Sequence, residues 1–234
     1  MTPGPAGTHT RENLSVLAQV EKRTLIWIAQ RLPQFVNSDH LSALGLISMA
    51  AAGCSFAAFR LSGWAAVGVI VSLAANWFGD SLDGTVARVR NQQRPRYGFY
   101  VDHIIDVVGT TFLFAGMACS GLMNPLIAFT VLVLFLVVSA ESYLATHAAG
   151  IFRMSFFGFG PTELRIVIAI GALKAAITPW ASMGPFGQVR LFDAGGVVAS
   201  VGLLIAFMVA SIRNTCALYR AEPLPARSAE SRAA

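Results

Sequence analysis

Residues 80–106 read DSLDGTVARVRNQQRPRYGFYVDHIID, and this stretch decides how the chain is built. On a helix Asp80, Asp83, Gly84, Ala87 and Arg88 fall at offsets 0, 3, 4, 7 and 8, so all five share one face. Gly98, Asp102 and Asp106 fall at 0, 4 and 8 on the next helix. The two helices are joined by a loop carrying Arg90, Arg94 and Pro95, and as antiparallel neighbours they aim two carboxylates each at a shared point. Four acids that close cannot all ionise without strong repulsion, so either some are protonated or cations lie between them. An all-oxygen set favours a hard ion such as Mg²⁺ or Mn²⁺ over zinc, which prefers His or Cys. Two such ions suit phosphoryl-type chemistry, one on the attacking oxygen and one on the leaving oxygen. Gly84, Ala87 and Gly98 keep this face free of bulk, so a nucleotide or a neighbouring helix can come close to the backbone. The bland alternative pairs these acids with the loop arginines as a solvated helix-end cluster. It is disfavoured because acids within spans are costly and are usually functional.

The rest of the chain is apolar enough to require a membrane. Hydrophobic residues make up 55% and charged ones 12%, with a mean hydropathy of +0.62, far from the balance of a soluble domain. Backbone polar groups in lipid must be satisfied within the segment, so an all-α polytopic fold is expected. Six spans are read at Leu41–Phe59, Trp64–Arg88, Tyr97–Met123, Pro125–His147, Thr162–Trp180 and Gly195–Tyr219. Leu14, Leu17, Ala18, Leu25, Ile28, Ala29 and Leu32 recur at helical spacing among charged residues, which predicts an N-terminal interfacial amphipathic helix from Arg11 to Leu32. The expected organisation is therefore residues 1–36 as tail and interfacial helix, 37–220 as the membrane domain and 221–234 as a disordered tail.

The basic residues orient the spans. Arg11, Lys22, Arg23 and Arg31 precede span one, and Arg88, Arg90, Arg94 and Arg96 join spans two and three. Arg153 and Arg165 join four and five, and Arg213, Arg220, Arg227 and Arg232 follow six, whereas the other side has Arg60 and Arg190. The positive-inside rule then places both termini and the acids at the cytoplasmic face of an inner membrane. The net charge of +5 is read as orientation and headgroup attraction, and nucleic-acid binding as a poor second. No cleavable leader is expected, because residues 1–10 have neither a basic region nor an apolar run. Cys54, Cys119 and Cys216 are too scattered for a zinc site or redox pair.

The pattern D-x-x-D-G-x-x-A-R followed by G-x-x-x-D-x-x-x-D resembles the signature of the CDP-alcohol phosphotransferase family, and Asp80, Asp83, Gly84, Ala87, Arg88, Gly98, Asp102 and Asp106 supply every residue of it. Nine residues separate Arg88 from Gly98, one more than the family usually has. The resemblance implies six spans, an interfacial helix, a homodimer, and attack of an acceptor hydroxyl on a CDP-linked donor with release of CMP. It also implies metal ligation by Asp80, Asp83, Asp102 and Asp106, a general base at Asp106, and a CDP site lined by Gly84, Ala87, Arg88 and Gly98. Asn76, one turn before Asp80, is expected either to join that CDP site or to bond a neighbouring helix.

Substrate choice is open at this point. The segments AESYLATHAAG from residue 140 and GPTELRI from residue 160, with His103 after Asp102, faintly resemble stretches of choline and ethanolamine phosphotransferases, whereas bacterial relatives commonly use CDP-diacylglycerol. Glu141, His147, Glu163, Arg165 and His103 are the candidates for an acceptor pocket. At least one substrate is expected to be a lipid. A metal-ion carrier is the non-enzymatic rival, but neither broken helices nor inverted repeats are evident. A metal-dependent lipid phosphatase would leave the small residues of the signature unexplained.

Overall fold

The computed structural model describes residues 18–149, 160–182, 184, 187–222 and 224. The start of the expected interfacial helix, Arg11–Leu17, and the tail from 225 onward lie outside the described residues. The chain is mostly helical, in the order α1 (Ala18–Ala29), α2 (Ser38–Ala57), α3 (Ala65–Val89), α4 (Pro95–Cys119), α5 (Pro125–Ala149), α6 (Pro161–Ile177) and α7 (Leu191–Ala221). A 3₁₀ turn, Ala58–Arg60, follows α2.

Five of these helices, α2, α3, α4, α5 and α7, are long and apolar enough to cross a membrane. Valines and phenylalanines such as Val71, Phe129 and Val198 lie exposed along them, a surface that lipid covers and water would not tolerate. The chain is a multi-pass membrane protein. At 17 residues α6 rises about 25 Å, less than the roughly 30 Å of hydrocarbon, so the fifth expected span, Thr162–Trp180, is shorter than its sequence suggested. It was read to continue to Trp180 and ends at Ile177, because Pro179 drives Thr178 out of the helical region to φ −151°, ψ 124°.

A purely helical chain is also corrected by a small hairpin. Strands β1 (Trp180–Ser182) and β2 (Gln188–Arg190) pair antiparallel in the register Trp180↔Arg190, Ala181↔Val189 and Ser182↔Gln188. Gly184 and Gly187, at φ 56° and 72°, turn the chain between them. From there α7 starts at Leu191, four residues before the expected Gly195.

α2 is the axis on which α3 and α4 pack. Asn37 caps it by accepting the His40 N–H at 2.9 Å, while the His40 ring accepts the Asn37 N–H at 3.4 Å. Glycines set the distances between helices. A Cβ at Gly79 would lie 2.5 Å from the Leu41 carbonyl oxygen and 2.8 Å from the Gly45 nitrogen, and one at Gly116 would fall on the backbone of Gly53. The core at this crossing is Ala52, Phe56, Val69, Leu73, Leu113 and Met117, joined by Met123, Ala128, Val131 and Ala172. Gly116→Ala is therefore expected to destabilise the protein by about 1–3 kcal/mol, because the obstacle is backbone and cannot rotate away. A detergent melting curve with an unchanged midpoint would show that α2 and α4 can part freely.

The spans alternate in direction, and cross-contacts fix which ends meet. Asn124 N–H donates to Asp193 at 2.5 Å where α5 and α7 begin their run, and Asn214 Nδ2 donates to Glu141 Oε1 at 2.7 Å near the opposite end. Gly63, just before α3, lies against Ala176 near the end of α6, while Asp80 late in α3 meets Arg165 early in α6. Asp80, Asp83, Asp102, Asp106, Glu141, Glu163 and Arg165 thus all lie toward one end of the bundle. A second small core, Leu25, Ala29, Leu41, Leu82 and Val86, seats α1 beside that end. Arg90 buckles the α1–α2 link there, donating to the carbonyls of Leu32 at 2.9 Å, Pro33 at 3.1 Å and Val36 at 2.5 Å.

Candidate active site

The last turns of α3 and the first turns of α4 carry the acids, as their spacing required. Asp83 accepts the Ser42 hydroxyl at Oδ2, 2.6 Å, and the Gly84 N–H at Oδ1, 2.5 Å, so α2 orients this carboxylate from below. Asp80 accepts Arg165 Nη2 at 2.5 Å. Arg165 Nε donates to Asn76 Oδ1 at 2.7 Å, and Asn76 Nδ2 donates to the Gly45 carbonyl at 3.0 Å. Asn76 is buried and spends both ends of its amide between helices, the second of the two uses read for it.

Across from them, Asp106 is half-buried within electrostatic reach of Asp80, Asp102, Asp83 and Arg165. Asp102 lies 3.8 Å from His103 Nδ1. That nitrogen is 2.6 Å from the Phe99 carbonyl, so it carries the proton and donates it there, which fixes the tautomer. The His103 ring is held between Phe99, at 4.0 Å, and the edge of Tyr143, at 4.6 Å.

The small residues of the signature differ in what they serve. Gly98 is exposed, and a Cβ on it would meet nothing within 4 Å. Among the described residues no helix contact demands glycine there. At Gly84 the nearest atom a Cβ would meet belongs to the Arg88 guanidinium, 3.3 Å away, where Arg88 Nη2 donates to Thr85 at 2.9 Å. Beside Ala87 opens a cavity of about 430 Å³, lined by Asn37, Asp39, Gln92, Gln93 and Arg94. Asp39 pairs with Arg94 across it, and this hydrogen bond holds the Arg94 guanidinium above its ordinary value.

The remaining candidates are distributed around the same end. Glu141 accepts from Asn214 on α7, and Glu163 accepts the Gly160 N–H at 3.0 Å, closing the N-terminus of α6. His147 is exposed on the last turn of α5. Sequence reasoning missed Ser42, Asn214 and Tyr143. Ser42 has no local signal beyond its position one turn after Ser38, and Asn214 has only its polarity within an apolar helix as a clue.

Among the described residues no three His, Cys, Asp or Glu side chains close on one point as a full metal ligand set would. The donor chemistry nevertheless fits a hard divalent ion, since the gathered groups are all carboxylates and one of them already holds a cation in the Arg165 guanidinium.

The family described as CDP-alcohol phosphatidyltransferase matches residues 40–214, from the first turn of α2 through most of α7. No curated protein matches the chain at a significant level.

Proposed function

We propose a reaction from one premise: the chain belongs to the CDP-alcohol phosphatidyltransferase family. That family transfers phosphoalcohol groups from CDP-linked donors in phospholipid synthesis and uses divalent metals. In the reading that the site supports best, an acceptor hydroxyl attacks the donor phosphorus farther from the cytidine, the new P–O bond forms, and the bond to CMP breaks. Asp106 takes the hydroxyl proton. Asp80, Asp83, Asp102 and Asp106 would hold one or two Mg²⁺ or Mn²⁺ ions, which when bound supply positive charge to the diphosphate and to the entering and leaving oxygens. Gly84, Ala87, Arg88 and Gly98 receive the nucleotide. The observation that carries this reading is Gly98, a signature glycine that no packing among the described residues requires, standing one turn from Asp102.

The donor is either CDP-diacylglycerol or a CDP-amino alcohol, with a lipid on at least one side of the exchange. Incubating the purified protein with each labelled donor and a panel of alcohols, including diacylglycerol, glycerol phosphate and serine, identifies both substrates through CMP release. Failure of every donor to yield CMP in the presence of metal would favour the ion-carrier reading. Glu141, His147, Glu163, Arg165 and His103 are taken in this reading as the acceptor pocket.

The same reading takes α6 as a sixth crossing, supported by its running from Asp80 to Gly63 along α3. It keeps α1 and the residues before it, within 1–36, as an interfacial element, 37–220 as the membrane domain and 221–234 as a tail. The protein is read as a homodimer of the inner membrane, with termini and acids on the cytoplasmic side. Gln92 is exposed in the loop between α3 and α4, so Gln92→Cys is expected to react with an impermeant thiol reagent in inverted vesicles and to be protected in intact cells. Labelling in intact cells would reverse the orientation.

A further inference from the structure

Arg165 is not needed to hold its own helix together. Glu163 closes the first turn of α6, while Arg165 reaches out of that helix into a seat built by two others. The Asn76 amide is oriented by the Gly45 carbonyl, so its oxygen must face Arg165 Nε. Nη2 then falls on Asp80 Oδ2. Both side chains of the ion pair are largely buried, at 15% and 24% exposure, where a charged group without a partner is costly.

We propose that Arg165 is a built-in stand-in cation: it holds Asp80, competes with the divalent ion for that carboxylate, and moves its Nη groups onto the donor diphosphate when metal and donor bind. This rests on the metal reading of the acids given above. The anchored Nε on Asn76 makes the exchange a pivot rather than a release, because the guanidinium can keep one bond while the other changes partner. Two consequences follow from linkage. Metal alone binds weakly, since it must displace a bonded guanidinium, and a CDP group strengthens metal binding by giving Arg165 somewhere else to go.

The test is Mn²⁺ titration by electron paramagnetic resonance, with the full chain in nanodiscs, with and without CDP. Arg165→Gln is expected to bind Mn²⁺ without nucleotide about tenfold more tightly than the wild type, and to lose most of the enhancement that CDP produces in the wild type. Arg165→Lys keeps the charge but cannot hold Asn76 and Asp80 together, so it should shift affinity in the same direction by a smaller factor. It also serves should the glutamine variant fail to fold. A residue that only braced α6 would give unchanged or weaker Mn²⁺ binding in both variants, and that result overturns the proposal. Should no protein, wild type included, bind Mn²⁺ with or without CDP, the metal reading of the acids falls first.

Discussion

Excess EDTA is expected to reduce CMP release to background, with activity restored by Mg²⁺ or Mn²⁺. The reason is charge. Asp80, Asp83, Asp102 and Asp106 share one end of the bundle, and Asp106 feels the other three directly. Against as many as four negative charges, Arg165 supplies a single positive one at Asp80. A donor diphosphate brings further negative charge to the same place. At about 4 Å, two like charges near a protein surface repel by roughly 4 kcal/mol, so several such pairs would exclude the donor unless cations intervene. Chelation should therefore weaken donor binding as well as abolish turnover. Full turnover with the ions removed would mean that the acids are mostly protonated and serve another purpose.

What could be read in advance and what could not divides along a physical line. Asp80, Asp83, Asp102 and Asp106 were legible because helical periodicity places them on two faces, and because acids within apolar segments are too costly to be incidental. The first four spans were legible from hydropathy, and the structure brackets them to within a few residues. The end of α6 was misjudged because the apolar residues continue to Trp180, while the backbone constraint before Pro179 ends the helix sooner. Gly184 and Gly187 lay in plain view, yet nothing nearby alternates strongly enough to announce two three-residue strands. Least legible were the partners of the acids. Ser42 on Asp83 and Arg165 on Asp80 are separated from them by 41 and 85 residues, and only the packing of α2 and α6 onto α3 brings them together. Periodicity describes the face a residue occupies; it carries no information about which distant side chain arrives there.

Asp106→Asn is expected to retain most donor and metal binding and to lower turnover by about 10²-fold or more. An alcohol is a poor nucleophile at neutral pH, so its proton must be accepted as the bond to phosphorus forms. Among the four acids, Asp80 is bonded to Arg165, and Asp83 accepts from both Ser42 and the Gly84 amide, so each of these two has a partner that competes for a proton-accepting oxygen. Asp102 stands beside the His103 ring. Asp106 lies one turn deeper on the same face, within electrostatic reach of Asp80 and Asp83 on the facing helix. Asparagine keeps the size and one oxygen but removes the basic oxygen, which separates binding from proton transfer. Asp83→Asn should behave differently, weakening metal-dependent donor binding along with rate, because its two oxygens are those that α2 and the Gly84 amide hold in place. Steady-state kinetics with Mn²⁺ titration on both variants distinguishes the roles. Near-normal turnover in Asp106→Asn would remove the base assignment and pass it to another acid at this end, with Glu141 and Glu163 tested next.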